Sequence, residues 1–511
     1  MMYNGRDACI RLSIRVLPWH CGSEAVCKRH MRGSQMYDNN KEEMKHMMTE
    51  KLIKLFSPDS VAVIGASNSF DKLGYHIMKS LVGHYAGKIY PINAKGKKVW
   101  ELDSYPSIGE VPGEIDLAII VVPAALVPET LHQCGKKGVK GAVLITAGFR
   151  EIEDSQGEVL QEEIRRICEL YELPIIGPNT SGFANIAFGV DASFTSEFCE
   201  LEKGGVAIIS QSGGLCHLCG FLAIHQRMGV SSLMSLGNRL NVGFPEAMRF
   251  FIEEDEATKV IALYIEGLDE PRKLLDMARL FRGKKPIIAY KSGKSVKSDS
   301  ASKFHTGSLA GNHQIWKGAF RQAGILEVQS AEELIDTAKV LDSCALARGN
   351  RIAVLSGQAG PGIIAADALE AYGLSLSQFS SATQARINEF LPPIAIRTNP
   401  VDMGPAWYNP EAMLDILNAV IEDEGIDGVI FINLYASANL SLASAMAEHI
   451  KNIDAFKKPV ISVITAPPGV WEEGTKGLDR KKGIAILPTP ERAAKAMSNL
   501  WKANLLSARG D

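Results

Sequence analysis

The chain has 511 residues, with 55 Lys and Arg against 58 Asp and Glu, a formal net charge of −3, 46% apolar and 22% charged residues. That length accommodates about three domains of roughly 100–200 residues, each with its own core, and the near-average composition excludes wholesale disorder. No basic surplus points to nucleic acid, no polybasic block to an anionic membrane, and no apolar run reaches the roughly 18 residues of a membrane span.

Residues 1–49 differ from the rest of the chain. They hold Cys9, Cys21 and Cys27 and carry six Lys/Arg against two acids up to Arg32, without strong periodicity. The apolar segment of a secretory signal is missing, so the stretch reads as a disordered extension or an over-long start, with an Arg-rich targeting leader as the alternative. Nine scattered cysteines make no regular framework. Cys216 and Cys219 come closest to a metal pair, yet no second pair stands at zinc-ribbon spacing, so buried helix thiols are expected and no metal site. Free thiols in a large chain fit a reducing, cytoplasmic location.

From Ser60 onward, short β-branched runs alternate with amphipathic stretches. The strands expected are 60–65, 88–93, 116–122, 141–146 and 173–177, with helices over 124–137 and 157–171. This spacing indicates βαβ units on a parallel sheet, a first domain of about residues 50–185. Ligands bind such sheets at the C-terminal strand ends, here Gly65-Ala-Ser67, Pro91-Ile-Asn93, Val122-Pro123, Thr146-Ala-Gly148 and Gly177-Pro-Asn179. The Gly65 turn can hold a phosphate on main-chain N–H groups, with Lys72 adding charge, or can be only a tight connection. It is not GxGxxG and no acid suits a ribose about 20 residues on, which disfavours NAD.

The next two segments resemble each other. Val206-Ala-Ile-Ile-Ser210 with Gln-Ser-Gly-Gly214 parallels Ile352-Ala-Val-Leu-Ser356 with Gly-Gln-Ala-Gly360; Val260-Ile-Ala-Leu parallels Val429-Ile-Phe-Ile, and Lys284-Lys-Pro-Ile-Ile288 parallels Lys457-Lys-Pro-Val-Ile461. These parallels imply two related α/β domains, about 190–340 and 348–505. One glycine turn before a helix is commonly structural; two in repeated domains point to paired helix N-termini converging on one anion. Lys291-Ser-Gly-Lys-Ser295 lacks the upstream Gly of a P-loop. His305 lies in a stretch rich in Gly, Ser and Lys whose third-domain counterpart has no His, and Glu266 ends an apolar strand. That carboxylate either holds one imidazole nitrogen, leaving the other as nucleophile, or is simply solvated.

Together these elements resemble the α subunit of the ADP-forming acyl-CoA synthetases, relatives of succinyl-CoA synthetase. The resemblance covers about residues 55–505, through Val63-Ile-Gly-Ala-Ser67, Tyr90-Pro-Ile-Asn-Ala-Lys95, Gly177-Pro-Asn179, Ser210-Gln-Ser-Gly213, Tyr264-Ile-Glu-Gly267, His305-Thr-Gly-Ser-Leu-Ala-Gly311 and Gly360-Pro-Gly362. It implies an α/β fold: a Rossmann-like coenzyme A-binding domain, then two flavodoxin-like parallel-sheet domains. It implies coenzyme A held by Gly65, Ser67, Lys72, Asn93, Lys95, Pro123, Thr146 and Asn179. It implies a phosphorylated His305 oriented by Glu266, and a phosphoryl cradle from Ser212, Gly213, Gly214, Ala359 and Gly360. No ATP-grasp segment is visible, so Mg²⁺ and ADP or ATP are expected on a separate ATP-grasp β subunit in an α2β2 assembly, with a small carboxylic acid and its acyl-CoA as reactants. A non-catalytic CoA-binding protein of the same fold is the alternative; an acyltransferase would need an appended domain. The chain departs from the family at Thr180, where Cys is usual, at Asn241, where Asp is common, and at Phe304, where the residue is usually small.

Overall fold

A computed structural model of the chain describes residues 49–508 except 97, 153, 296, 298–311, 452–456 and 476–482. The expected leader, apart from Thr49, lies outside the described residues, as do Phe304 and His305. The chain divides after Glu50, and all three sheets belong to the second unit.

A run such as Ser-Val-Ala-Val-Ile, with no polar alternation, suits a strand covered on both faces. It forms β1 (Ser60–Ile64), with every residue buried. Four more strands complete a parallel sheet ordered β2-β1-β3-β4-β5: β2 (Lys88–Ile92), β3 (Leu117–Ile120), β4 (Gly141–Leu144) and β5 (Ile175–Ile176). The strands end one or two residues earlier than the apolar runs do, which leaves the last residues as binding-edge loops. Helix α1 (Leu73–Val82) follows the Gly65 turn. The helix Ser155–Tyr171 starts where Asp154 accepts a hydrogen bond from the Gln156 N–H, an N-cap that fixes its first turn.

The second sheet runs β12-β11-β10-β8-β9-β6-β7. Its strands are β6 (Gly182–Asn185), β7 (Val190–Ser193), β8 (Lys203–Ser210), β9 (Val230–Ser235), β10 (Val260–Ile265), β11 (Ile287–Lys291) and β12 (Ile325–Val328). The antiparallel hairpin β6–β7 is too short for periodicity to reveal, and it puts the change of sheet between Ile176 and Gly182. Helix α2 (Gly213–His225) follows β8 and α3 (Ala331–Ser343) follows β12. Cys216 and Cys219 lie on the buried face of α2, where burial pushes the Cys219 thiol up to about 12.

The third sheet runs β14-β13-β16-β17-β18, with β15 (Val401–Asp402) also beside β13. Its other strands are β13 (Arg351–Ser356), β14 (Ser375–Leu376), β16 (Gly428–Leu434), β17 (Val460–Thr465) and β18 (Ile484–Leu487). Helix α4 (Ala359–Ala371) follows β13 and α5 (Pro490–Ala508) follows β18. The neighbour order matches that of β9, β8, β10, β11 and β12, so the sequence repeat is a repeat of topology. The register corrects one pairing. Val260 sits beside Val206 and Gly428 beside Ile352, so Gly428, not Val429, stands where Val260 does. A one-residue slip would turn the strand's inner face outward.

One apolar core spans the second and third sheets. Val206, Ile208, Val260 and Ala262 of one and Ile352, Val354, Ile430 and Ile432 of the other share it with Leu334 and Ala338 of α3 and Met497 and Leu500 of α5. Across it Arg492 grips Asp336 through Nε–Oδ2 at 2.7 Å and Nη2–Oδ1 at 2.5 Å, while Nη1 meets Glu332 at 2.8 Å. Asp336 is 4% exposed. Arg492→Ala should therefore cost about 2–4 kcal/mol, by stranding a buried carboxylate, and Arg492→Lys should recover only part, lacking the planar fork. Urea unfolding followed by circular dichroism checks both variants.

Candidate active site at the strand ends

The expected coenzyme A residues fall along the C-terminal edge of the first sheet. Gly65 holds φ +99°, and a Cβ there would lie 2.6 Å from the Val121 carbonyl oxygen, so no larger residue fits this turn. The Ser67 hydroxyl accepts the Ser69 N–H at 3.0 Å. Asn93 uses both ends of its amide within the fold, donating to the Ala66 carbonyl at 2.8 Å and accepting the Lys95 N–H at 2.9 Å, and so ties the β1 turn to the β2 turn. Pro123 leads a 3₁₀ turn. Thr146 donates to the Val122 carbonyl at 2.6 Å, and the Asn179 N–H donates to the Thr146 carbonyl at 2.9 Å. Lys72 precedes α1, and both Lys72 and Lys95 are exposed.

The two glycine turns share one local design. The Ser210 hydroxyl donates to the Ser212 carbonyl at 2.7 Å and accepts the Ser212 N–H at 3.2 Å; Ser356 does the same with Gln358 at 2.5 and 3.4 Å. Each strand-end serine thus ties off the residue before its helix, leaving Gly213 and Gly214, or Ala359 and Gly360, at the first positions, where N–H groups have no intrahelical acceptor. Ser212 also caps α2 through Leu215 N–H.

Beside the first of these turns lies a buried polar cluster. Glu266, 8% exposed, accepts from the Tyr264 hydroxyl at 3.2 Å. The Gln211 carbonyl oxygen Oε1 accepts the main-chain N–H groups of Glu266 at 2.9 Å and Gly267 at 3.2 Å. The Lys291 ammonium, 1% exposed, donates to the carbonyls of Glu266 and Ser292, both at 2.6 Å. Arg239 is buried nearby; burial, with Arg150 adjacent, pulls its guanidinium down to about 10, opposed by Asp269 and Glu266. The Gln211 Nε2 is buried without a hydrogen-bond partner, an arrangement that costs free energy unless something supplies an acceptor.

Gln211 and Lys291 escaped the sequence reading of the site, although a signal existed. In the corrected register their third-domain counterparts are Gly357 and Ile464, and that of Glu266 is Leu434. All three polar groups therefore belong to one copy of the repeat.

A cavity of about 400 Å³ brings several expected residues together. Thr146 and Asn179 from the first sheet share it with Gln211, Ser212, Gly213 and Gly214, and Asn238, Thr180, Ser181, Phe194 and His217 are among the other residues that line it. Ala359 and Gly360 head α4 and do not line it; neither do Gly65, Ser67, Lys72, Asn93, Lys95 or Pro123. Hydrogen bonds cross the seam between the sheets beside apolar packing of Phe56 on Phe183, Phe250 and Phe251. Asn238 Nδ2 donates to Glu151 at 2.6 Å and to Gln161 at 3.0 Å, and Arg150 donates to the Asn238 carbonyl at 2.8 Å. Although burial alone would raise Glu151, donation from Asn238 and from the Gly148 and Phe149 N–H groups holds its carboxyl below the usual range. Asn241 accepts from Ile175 N–H and donates to the Leu173 carbonyl, both at 2.8 Å. A carboxylate could not make the second bond, which accounts for Asn at this place. Thr180 likewise both donates to the Ser235 carbonyl at 2.5 Å and accepts Gly182 N–H at 3.0 Å.

Among the described residues no cluster of three or more His, Cys, Asp or Glu could hold a metal ion, and no helix is long and apolar enough to cross a membrane.

Residues 59–185 match the CoA binding domain family and residues 203–341 the succinyl-CoA ligase like flavodoxin domain. The α subunit of ADP-forming acetate–CoA ligase II from Pyrococcus furiosus is 38% identical over 451 residues, 86% of this chain and 95% of that one. The ADP-forming acetate–CoA ligase of Methanocaldococcus jannaschii is 39% identical over 89% of this chain, which spans 63% of that protein's length. The dinucleotide-forming acetyl-coenzyme A synthetase 1 of Candidatus Korarchaeum cryptofilum, solved with phosphate and ADP, superposes with a TM-score of 0.81 at 32% identity, covering 89% of this chain and 97% of that one. The chain belongs to the ADP-forming acyl-CoA ligases, and corresponds to their α subunit.

Proposed function

We propose that this chain carries the acyl and phosphoryl half of the reaction acyl-CoA + ADP + phosphate ⇌ carboxylic acid + CoA + ATP, with His305 as phosphoryl carrier. The observation that carries the reading is the single cavity joining Thr146 and Asn179 to the N-terminus of α2. Coenzyme A would lie along the first sheet's edge past Gly65, Ser67, Lys72, Asn93, Lys95 and Pro123, its thioester reaching this cavity. Phosphate would take the Gly213 and Gly214 N–H groups and the unpartnered Gln211 Nε2. Fixed donors aimed at accumulating negative charge need no reorganisation when the reaction proceeds.

Phosphate oxygen attacks the thioester carbon, the C–S bond breaks, and acyl phosphate and CoA form. An imidazole nitrogen of His305 then attacks phosphorus, releasing the carboxylate. The phosphohistidine finally passes its phosphoryl group to ADP, held with Mg²⁺ by a partner. Glu266 would accept the other ring N–H of His305 and stabilise the imidazolium, and Ala359 and Gly360 would cap the phosphoryl group from the second helix. His305 is seven residues from Asn312, so its Cα stays within about 25 Å of that anchor.

The nucleotide would belong to an ATP-grasp β subunit in an α2β2 complex. Helices apolar on all sides are normally buried, yet α2 leaves Leu218 and Phe221 at 44% and 41% exposed, and α4 leaves Ile363 and Ile364 at 50% and 46%. These faces suit a partner. The free, mostly buried thiols suit the cytoplasm.

Incubating the chain with its β subunit, Mg²⁺ and γ-labelled ATP should give acid-labile, base-stable label on this chain. No label with a competent partner would overturn the reading in favour of a non-catalytic CoA-binding protein.

A further inference from the structure

The segment that carries His305 is rooted at Ser292 on one side and at Asn312 on the other, 13 and seven residues away. Both roots converge on one side chain. Lys291 closes β11, and its ammonium donates to the Ser292 carbonyl and to the Glu266 carbonyl of the neighbouring strand end, both at 2.6 Å. The Ser292 N–H donates in turn to the Ile265 carbonyl at 3.0 Å, so the first root is laced to the end of β10 through its N–H as well as its carbonyl. The second root is the helix His313–Ala323, capped where Asn312 accepts the Gln314 N–H at 2.9 Å. Trp316, in the first turn of that helix and 7% exposed, sets its ring centroid 5.6 Å from the Lys291 ammonium, within the range at which a ring face attracts a cation.

Strand packing alone does not ask for a cation at this place. In the third sheet the equivalent residue is Ile464, 1% exposed, which packs as a hydrocarbon. Lys291 is equally buried, and an ammonium taken out of water costs free energy that only fixed partners offset. The copy of the repeat that carries His305 thus keeps a buried charge where the copy without a histidine does not.

We infer that Lys291 is a positioning residue for phosphoryl transfer: one ammonium straps both roots of the His305 segment to the strand end that presents Glu266. The inference rests on the function proposed above. An imidazole that must meet both its carboxylate and the phosphorus loses about 10²-fold in rate for an ångström of misplacement, and the strap sets where the chain on either side of that imidazole begins.

Two measurements on the chain reconstituted with its β subunit test this. Rapid-quench labelling with Mg²⁺ and γ-labelled ATP reads transfer to His305. Phosphate-dependent exchange of labelled CoA into acetyl-CoA reads the first step, which needs no His305. Lys291→Met, similar in length but uncharged, should slow labelling by about 10²-fold with the KM for ATP and the exchange rate unchanged. Lys291→Arg, which keeps the charge and the donors, should return labelling to within about tenfold of the wild type. A merely structural lysine would not split the two steps, so wild-type labelling in Lys291→Met, or an arginine no faster than the methionine, would overturn the inference. Should Lys291→Met lose both reactions, as a misfolded chain would, Trp316→Leu decides in its place. Labelling slowed about threefold to tenfold with exchange intact supports the strap, and any other pattern overturns it. A wild-type chain that neither takes label nor exchanges CoA would instead overturn the functional reading beneath.

Discussion

Glu266→Gln should lower steady-state turnover of the reconstituted enzyme by about 10³–10⁴, while His305→Ala should leave no phosphoenzyme at all. The amide of the glutamine variant keeps the size of the carboxylate and keeps the Tyr264 contact, so folding should survive. What disappears is the negative charge. A carboxylate at one imidazole nitrogen selects the tautomer whose other nitrogen is free to attack, and it stabilises the cation once phosphorus is bound; the neutral analogue of such a group elsewhere costs about four orders of magnitude. Because Lys291 and Gln211 hold the main chain of Glu266, its strand end stays in place in the variant. CoA affinity should be unchanged in both variants. Rapid-quench measurement of label on the chain separates the outcomes: Glu266→Gln slows its appearance, and His305→Ala removes it. Wild-type phosphorylation rates in Glu266→Gln would eliminate Glu266 as the orienting group.

The second large effect concerns stability. Asp191 lies in β7, 5% exposed, with Oδ1 accepting the Ser193 N–H at 3.0 Å. Burial pushes its carboxyl up to about 7, against the opposing hydrogen bonds from Ser193. The folded chain therefore holds this proton more tightly than the unfolded chain, whose carboxyl titrates near 4. The contribution is full below about pH 4 and is lost as pH rises through about 7, up to about 4 kcal/mol in all. Asp191→Asn, neutral at every pH, should raise stability by about 3–4 kcal/mol at pH 8 and by only about 1–2 kcal/mol at pH 5. Urea unfolding of both proteins at the two pH values measures this, and an equal increment at each pH would refute the raised carboxyl.

Much of this arrangement is legible in the sequence where the chain has no choice. The Gly65 turn is visible because only glycine tolerates the approach of the Val121 carbonyl, and the buried strands because continuous β-branched runs suit sheets covered on both faces. The repeat is legible too, although the phase of its middle strand is not. Val-Ile-Ala-Leu and Val-Ile-Phe-Ile are apolar at every position, so either phase looks alike until strand neighbours fix which face is inward. Gln211 hides for another reason. Its importance lies in a donor left without an acceptor, and only the positions of Glu266 and Gly267 show that its other end is already spent. The hairpin β6–β7 is set by its pairing with β9, a contact between residues about 50 apart along the chain.

The shared core of the second and third sheets also has a mechanical consequence. With Val206 and Ile352, the first in-core residues of the two homologous strands, sealed into one apolar interior, the two glycine turns cannot separate without exposing that interior to water. They behave as the fixed jaws of a single rigid block. The junction with the first sheet is built differently, from the hydrogen bonds of Asn238 and Arg150 beside the packing of Phe56 on Phe183, Phe250 and Phe251, and shares none of that interior.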